Sequence, residues 1–489
     1  MKIAIVGCGA TSISVVTQIL AELSRAKFKH KALEILLFEK SEVGGLPYND
    51  TSNAQLLNLP PSLMSVDAYN PKDFEEWLLE KNYTLDFVPR YLYGKYLKFR
   101  LAELIDQKLI PGVDIRLFTE EVKSINTSDK NRIFLVTAER AVNVHRCILA
   151  FGHSGPEPIP ELEEVSGYFN DPWNIDWDKI PSDASVALAG SRLTALDVAK
   201  ELISRGHVGE VVMYSRRGFL PSVRSKFSSP VALNYLRLDE IDFLGSKRLR
   251  LFDVLRLIYF ELKSHGVNSL SCIKGYAPEY ALEWIKKEIN LADKVRIDQD
   301  IIGGIYRSSL IDYIWMKLPG EEKKLFLDRY LSGWMSIAHP IPLENAIFLR
   351  DALCQGQLKV RSGIKKILPI NGGFSIQGKD VGISQIVINC KGVSKRLRHH
   401  RSSLVHQLLN SGQICEHEFG GMQIDPYSFH PIDRSGQLIR NFYAIGPMTC
   451  GVFFSVLAQV HNVRKSRQLA QRIVDEIKLE SEKPLVGAL

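Results

Sequence analysis

The sequence predicts an α/β protein with two Rossmann-like dinucleotide-binding domains and a mostly helical insertion. Two stretches carry this prediction, because each reads as a strand, a glycine turn and a helix, with a second strand after it. They are "KIAIVGCGATSIS", which begins at Lys2, and "VALAGSRLTALDVA", which begins at Val186. The third observation is the segment from Asp239 to Arg350, where helical patterns such as "LRLFDVLRLIYFELKSHG" replace strand patterns.

Length and composition agree with a multidomain globular protein. The 489 residues exceed what one ordinary core accommodates, and 45% hydrophobic with 24% charged residues is typical of soluble folds. No apolar run approaches the roughly 18 residues of a spanning helix. The "MKIAIVGCG" start resembles a first strand rather than a signal peptide. We therefore expect no transmembrane segment and no membrane partner.

Charge and cysteine usage argue against a nucleic-acid-binding protein and against a disulfide-linked framework. The net charge of +7 is modest, and we interpret the basic stretch from Lys391 to Arg401 as a solvated loop, with no nucleic-acid partner. The seven cysteines contain no CxxC pair, which favours free thiols in a reducing compartment, the cytoplasm by default. No metal-ligand cluster is apparent, and the oligomeric state stays open.

The order of the patterns predicts an interrupted domain organisation. We expect an FAD-binding domain whose first part spans 1–165, an NAD(P)H-binding domain with first part 166–238 and return 351–385, a helical insertion for the substrate pocket at 239–350, and the C-terminal part of the FAD-binding domain at 386–489.

The first glycine turn has the context of a dinucleotide site. Gly7 permits the tight turn, Gly9 allows a pyrophosphate to approach the backbone, and the small Ser12 lets the helix pack on the strand. Glu39 ends the next strand, where a carboxylate accepts hydrogen bonds from both ribose hydroxyls and repels a 2′-phosphate. The combination favours FAD or NAD over NADP.

Longer stretches carry a family resemblance. The sequences "GGLPYNDTSNAQLLNLPPSLMSVDAYNPKDFEEWL", "FVPRYLYGKYL", "DPWNIDW", "SRRGFLP" and "YAIGPMTCGVFF" resemble the FAD/NAD(P)-binding flavoproteins of the urate-hydroxylase-like group, which is related to flavin-dependent N-hydroxylating monooxygenases. The resemblance covers nearly the whole chain and is weakest in the helical insertion. It implies that FAD binds to the N-terminal unit and is covered by the C-terminal segment.

The resemblance also implies residues near the flavin. Before the chain first passes from one domain to the other, these residues are Gly45, Leu57, Asn58 and Met64. Near the C-terminus they are Gly446, Pro447, Met448 and Thr449. A helix that starts near Gly451 would direct its amides at the reduced ring. Alternatives stay open, because Asn58 is a common turn residue and Met64 a common core residue. Cys450 has no partner cysteine nearby, which disfavours a disulfide reductase.

The second turn departs from the pattern at one position. Gly190 makes the turn, Arg192 stands where the second glycine is expected, and Thr194 lies at the start of the helix. The Arg192 side chain hinders backbone approach, yet its guanidinium can contact a phosphate, and the sequence does not decide between these effects. Arg216 and Arg217 follow the next strand, where they suit the 2′-phosphate of NADPH.

Together these sites predict an FAD- and NADPH-dependent oxidoreductase with a small-molecule substrate. With O2 as acceptor, a flavin hydroperoxide would transfer an oxygen atom to a nucleophile, such as the amine of an amino acid in a specialised biosynthetic pathway. His339, in "WMSIAHPIPLENA", is the candidate base. The alternatives are a flavin-dependent NAD(P)H reductase or dehydrogenase with an organic acceptor, or a non-catalytic FAD-binding scaffold.

Overall fold

The computed structural model describes residues 1–26, 32–48, 52–106, 110–127, 132–152, 154–246, 248–267 and 280–482. The chain forms two compact units. Unit 1 comprises Met1–Asn53, Leu59–Gly155 and Ser394–Leu489, and unit 2 comprises Ala54–Asn58 and Pro156–Val393.

Unit 1 is built on a five-stranded parallel sheet. In spatial order its strands are β16 (Phe442–Ala444), β7 (Arg146–Leu149), β1 (Lys2–Val6), β2 (Leu33–Phe38) and β3 (Val113–Phe118). Residues Ile3 to Val6 of β1 are buried, as expected of a central parallel strand with both faces covered. The central position of β1 places the turn that follows it at the carboxyl edge of the sheet, where ligands bind in open α/β folds.

Helices cover this sheet. They are α1 (Ala10–Ala26), α2 (Asp73–Glu80), α3 (Arg90–Asp106), α13 (Ser403–Asn410) and the long α14 (Gln459–Glu482). Helix α1 packs along α14. A small antiparallel sheet of β4 (Ser124–Asn126), β5 (Ile133–Val136) and β6 (Ala141–Val144) lies between β3 and β7 in the chain.

Unit 2 repeats the same construction. Its five-stranded sheet has the order β11 (Leu358–Ser362), β10 (Val211–Ser215), β9 (Val186–Ala189), β15 (Ile386–Ile388) and β8 (Tyr168–Phe169), and every neighbouring pair is parallel. Helix α4 (Leu193–Ser204) follows β9. An antiparallel sheet of β12 (Lys366–Ile370), β13 (Gly373–Gln377) and β14 (Gly382–Ser384) packs on it.

The expected helical insertion is present between β10 and β11. The described helices there are α5 (Leu238–Gly245), α6 (Leu251–Ser264), α7 (Ala281–Ala292), α8 (Ile297–Arg307), α9 (Leu310–Lys317), α10 (Gly320–Arg329), α11 (Leu331–Ala338) and α12 (Leu343–Cys354). Helix α12 leads directly into β11, so the insertion belongs to unit 2.

The compact units divide at 155/156 and 393/394, whereas we expected divisions at 165/166 and 385/386. Both differences have a packing cause. Leu162 is fully buried in a core that also contains Ala187 and Phe374 of unit 2. Strand β15 pairs with β9, so the return of the chain to unit 1 comes after this strand. None of the helices in the described ranges is long and apolar enough to cross a membrane.

Candidate dinucleotide sites

The two glycines of the turn between β1 and α1 have different surroundings. Gly7 has a φ of +97°, and a Cβ there would lie 2.7 Å from the Ala150 carbonyl oxygen, so a side chain does not fit. A Cβ on Gly9 would meet only the Gly44 carbonyl oxygen, at 3.8 Å, so one face of this residue is open. Gly44 donates its N–H to the Cys8 carbonyl at 3.1 Å and supports the turn from behind. The turn therefore fits a pyrophosphate at the N-terminus of α1.

Glu39 lies against this turn. Its Oε2 accepts the Cys8 N–H at 2.8 Å, and its Oε1 accepts the N–H and the hydroxyl of Ser41 at 3.1 and 3.2 Å. Burial, and secondarily the Glu39 charge, raises the pKa of the Cys8 thiol to about 12. The carboxylate is thus fixed beside the phosphate-binding turn, as a ribose-binding acid requires.

Four buried polar atoms on α1 and α14 have no hydrogen-bond partner in the described part of the chain. Ser12, predicted as a packing residue, is fully buried, and its hydroxyl has no hydrogen bond among the described residues. The same holds for one side-chain atom each of Gln459, Asn462 and Ser466 on α14, which the sequence reasoning missed. Their spacing puts them on one helical face, and polar residues on a buried face were the available signal. Such atoms fit a bound polar ligand or water.

The four residues expected near the flavin before the first domain crossing are divided between the units. Gly45 has a φ of +94°, and a Cβ there would lie 4.0 Å from Gly9 Cα, so Gly45 is next to the first turn. Met64 is buried in unit 1. Leu57 and Asn58 belong to the short segment assigned to unit 2. There the Asn58 carbonyl accepts a hydrogen bond from Arg224 at 2.8 Å, and its buried side-chain Oδ1 has no hydrogen-bond partner among the residues that the structure describes.

The C-terminal turn lies beside the start of α1. A Cβ on Gly446 would be 3.4 Å from Thr11 Oγ1. Pro447–Thr449 form a 3₁₀ turn in which the Thr449 hydroxyl donates to the Gly446 carbonyl at 2.8 Å, and Met448 is buried.

The expected helix start near Gly451 is wrong, because α14 begins at Gln459. A Cβ at position 451 would lie 2.2 Å from the Gly420 carbonyl oxygen, so close packing against another loop holds this segment in turns.

The second turn still requires its first glycine, but its Arg192 side chain hydrogen-bonds outside the turn. A Cβ on Gly190 would lie 2.3 Å from the Cys390 carbonyl oxygen, so the position requires glycine. Arg192 is the N-cap of α4, and Thr194 lies in the first turn of that helix. The Arg192 guanidinium donates from Nη2 to the Ser332 carbonyl, and burial lowers its pKa to about 10. The turn fits a dinucleotide if this side chain changes partner.

Arg216 and Arg217 differ in whether their side chains already make hydrogen bonds. Arg216 is exposed and makes no side-chain hydrogen bond within the described part of the chain. Arg217 donates to the carbonyls of Arg329 and Asp328 at 2.7 and 2.8 Å. Only Arg216 is therefore directly available to a phosphate.

His339 terminates α11 within the helical segment. Its ring meets the Tyr306 ring edge to face, with 4.5 Å between centroids, and the neighbouring Trp334 is buried. The structure places both residues among the helices of unit 2, far along the chain from its nucleotide turn.

Burial makes most of the described cysteines unfavourable for thiol chemistry. Cys8, Cys147, Cys354, Cys390, Cys415 and Cys450 are all free. Desolvation raises the pKa of the partly exposed Cys450 thiol above its usual value, and burial does the same for the three buried thiols, Cys8, Cys147 and Cys390. Across the described ranges, no group of three or more His, Cys, Asp or Glu residues could hold a metal ion.

The fold and both turns define a protein with two Rossmann-like domains, and comparison with known proteins agrees. A family model described as FAD-NAD(P)-binding matches residues 4–154. No curated protein matches the chain. The predicted fold class, two Rossmann-like domains with a helical insertion, is confirmed by similarity to solved structures along nearly the whole chain.

Three solved structures illustrate this similarity. The ornithine N-hydroxylase of Kutzneria sp. 744, described with reduced FAD, NADP+ and L-ornithine, is 13% identical with a TM-score of 0.57, over 98% of this chain and 99% of that one. The reduced ornithine hydroxylase of Pseudomonas aeruginosa is 14% identical with a TM-score of 0.55, over 98% and 99%. The bacillithiol disulfide reductase of Staphylococcus aureus is 11% identical with a TM-score of 0.52, over 97% and 98%.

Proposed function

We propose that the protein is an FAD- and NADPH-dependent monooxygenase that transfers an oxygen atom from O2 to a small nucleophilic substrate. The observation that carries the proposal is the pair of strand, glycine turn and helix units on two separate parallel sheets. Each unit has the charge that its cofactor requires at the end of the neighbouring strand. An acid follows β2, whereas arginines follow β10.

The first site takes FAD. Glu39 is held beside the turn by the Cys8 N–H, so its charge meets the ribose and repels a 2′-phosphate. The residues proposed to contact FAD in unit 1 are Gly7, Gly9, Ser12, Glu39, Gly45, Met64, Gly446, Pro447, Met448 and Thr449. Leu57 and Asn58 stay proposed flavin-facing residues on the strength of the resemblance.

The second site takes NADPH. Gly190 and Thr194 provide the turn and the first helical amides, and Arg216 provides an exposed cation after β10. A guanidinium binds a phosphate through paired, charge-assisted hydrogen bonds, so the site should prefer NADPH to NADH.

The monooxygenase assignment rests on two supports. The ornithine hydroxylases share the fold along nearly the whole chain, and the one from Kutzneria sp. 744 is described as an ornithine N-hydroxylase. The disulfide reductase also shares the fold, but in the described part of this chain the cysteines are free. The pKa values of the buried Cys8, Cys147 and Cys390 thiols and of the partly exposed Cys450 thiol are raised. When bound, FAD supplies the two-electron chemistry between NADPH and O2.

The roles left to the chain are binding and exclusion of water. The helices of unit 2 would form the substrate pocket, with His339 as the group that accepts or returns a proton at the substrate amine. Free thiols suit a reducing compartment such as the cytoplasm.

The test measures NADPH oxidation by FAD-loaded protein with and without O2, in the presence of ornithine, lysine or cadaverine as probe amines. We expect oxidation to need O2, and at least one amine to yield a hydroxylamine in proportion to NADPH consumed. Sustained anaerobic oxidation with an organic acceptor would instead assign a reductase.

A further inference from the structure

Two arginines of the second nucleotide site hold one short segment of the helical insertion. This segment runs from Asp328 to Ser332 and joins α10 to α11; we call it the α10–α11 junction. Arg217 donates to the carbonyls of Arg329 and Asp328 at 2.7 and 2.8 Å, and Arg192 donates to the carbonyl of Ser332. The two side chains start from different elements, the loop after β10 and the N-cap of α4, and meet the same five residues.

The positions of two of these carbonyls, those of Asp328 and Arg329, explain why they attract a guanidinium group. The last carbonyls of a helix have no partner within it and carry partial negative charge, and Asp328 and Arg329 end α10. All three acceptors are nevertheless neutral. A phosphate oxygen carries negative charge and can bind a guanidinium through paired hydrogen bonds, so a phosphate is the better partner for both side chains.

The remaining arginine is placed to make the first contact. Arg216 is exposed, and its guanidinium makes no hydrogen bond within the described ranges. It follows β10 directly, where the 2′-phosphate of a dinucleotide is expected. A ligand held there would bring its phosphates to Arg217 and to the Gly190 turn.

We propose that Arg192 and Arg217 form a latch. In the absence of NADPH, the two side chains hold the α10–α11 junction through its carbonyls. When NADPH binds, they hydrogen-bond to its phosphate oxygens instead, and the junction is released. The inference rests on the proposed function, because it takes the second site to bind NADPH. It adds a coupling between that site and the helical segment. By thermodynamic linkage, the contacts that hold the junction must lower the affinity for NADPH by the same factor by which bound NADPH weakens those contacts.

The release should stop within α11. Ser336 accepts the Ser222 N–H at 2.9 Å and donates its own hydroxyl to the Leu220 carbonyl. These bonds do not involve either arginine. The first turn of α11 should therefore move, whereas Ser336 and the residues after it stay in place, so the same helix provides an internal control.

The experiment is hydrogen exchange of FAD-loaded protein, followed by mass spectrometry of peptides that cover 326–335 and 336–349. NADP+ serves as the ligand, so no turnover is needed. We expect NADP+ to speed exchange in the first peptide by about tenfold, the factor that corresponds to about 1.4 kcal/mol, and to leave the second unchanged. NADH, which lacks the 2′-phosphate, should have a smaller effect at equal occupancy.

Variants separate the latch from general loosening. Arg217→Ala and Arg192→Gly should show the faster exchange of the first peptide without ligand, and added NADP+ should change it little. Arg216→Ala is the matched control: it should keep slow exchange without ligand and bind NADP+ more weakly. If a latch variant does not fold, the wild-type response to NADP+ still decides the matter.

Three results would overturn the latch. They are unchanged or slower exchange of the first peptide when NADP+ is bound, equal acceleration of both peptides, or slow exchange in folded latch variants. Occupancy is measured separately by calorimetry. Binding of NADP+ without faster exchange rejects the latch and leaves the proposed function intact, whereas absence of NADP+ binding rejects both.

Discussion

Replacing Glu39 should damage FAD binding and local stability through different contacts. In the protein without FAD, Glu39→Ala leaves the N–H of the fully buried Cys8 without its acceptor, which costs about 1–3 kcal/mol of unfolding free energy. In FAD binding it removes charge-assisted bonds to the ribose hydroxyls, worth about 1.5–3 kcal/mol each. Loss of even one such bond raises the Kd for FAD about 10- to 100-fold.

Glu39→Gln should separate the two effects. Its amide oxygen can still accept the Cys8 N–H, so stability should fall less than in Glu39→Ala, while the Kd for FAD still rises because the charge is lost. Glu34→Ala is the control. It removes a carboxylate from β2, the strand that ends just before Glu39. This carboxylate makes only a partly exposed pair with Lys2 at 3.4 Å, so its loss should change stability by less than about 1 kcal/mol.

The assays are urea denaturation of the apoprotein and titration of FAD by fluorescence quenching. The reasoning is refuted if Glu39→Ala binds FAD like the wild type, or if its apoprotein unfolds at the wild-type urea concentration.

Three further predictions concern other contacts. Gly190→Ala should lower the unfolding free energy of unit 2 by about 1–3 kcal/mol because its Cβ would overlap the Cys390 carbonyl, whereas Gly245→Ala, with open space around it, should not; thermal unfolding measures both. Burial lowers the pKa of His400 to about 4, from roughly 6.5 unfolded, so its contribution to stability is complete above pH 6.5 and is lost as pH falls towards 4. Urea denaturation should give an unfolding free energy about 2 kcal/mol lower at pH 5 than above pH 6.5 on account of His400. His400→Gln should lack this loss, and equal losses in both proteins would contradict the assignment. His339→Ala should lower product formed per NADPH, with a loss of about 100-fold or more in hydroxylation if it moves a proton, and unchanged coupling would remove it from the mechanism.

The sequence predicted the parts of the fold that short patterns determine. Gly7 and Gly190 each lie between a buried strand and a helix, and their positions follow from apolar runs and from the backbone conformation that only glycine adopts easily. The helical insertion was found for the same reason, since its periodicity is local.

Features that depend on contacts between residues distant in the chain could not be predicted from the sequence. Arg192 and Arg217 find their acceptors 140 and 112 residues along the chain, and no local pattern indicates such partners. Gly451 was expected to begin a helix, but its packing against Gly420 keeps the segment in turns. Whether the predicted site residues bind the cofactors stays a prediction.

The most direct test of the account is the absorption spectrum of purified, FAD-loaded protein before and after NADPH is added under anaerobic conditions. The account predicts an oxidised flavin spectrum that NADPH bleaches, with NADH less effective at equal concentration, and that returns when O2 is admitted. A protein that carries FAD but is not reduced by NADPH would contradict the central claim and indicate a scaffold whose second site does not deliver hydride.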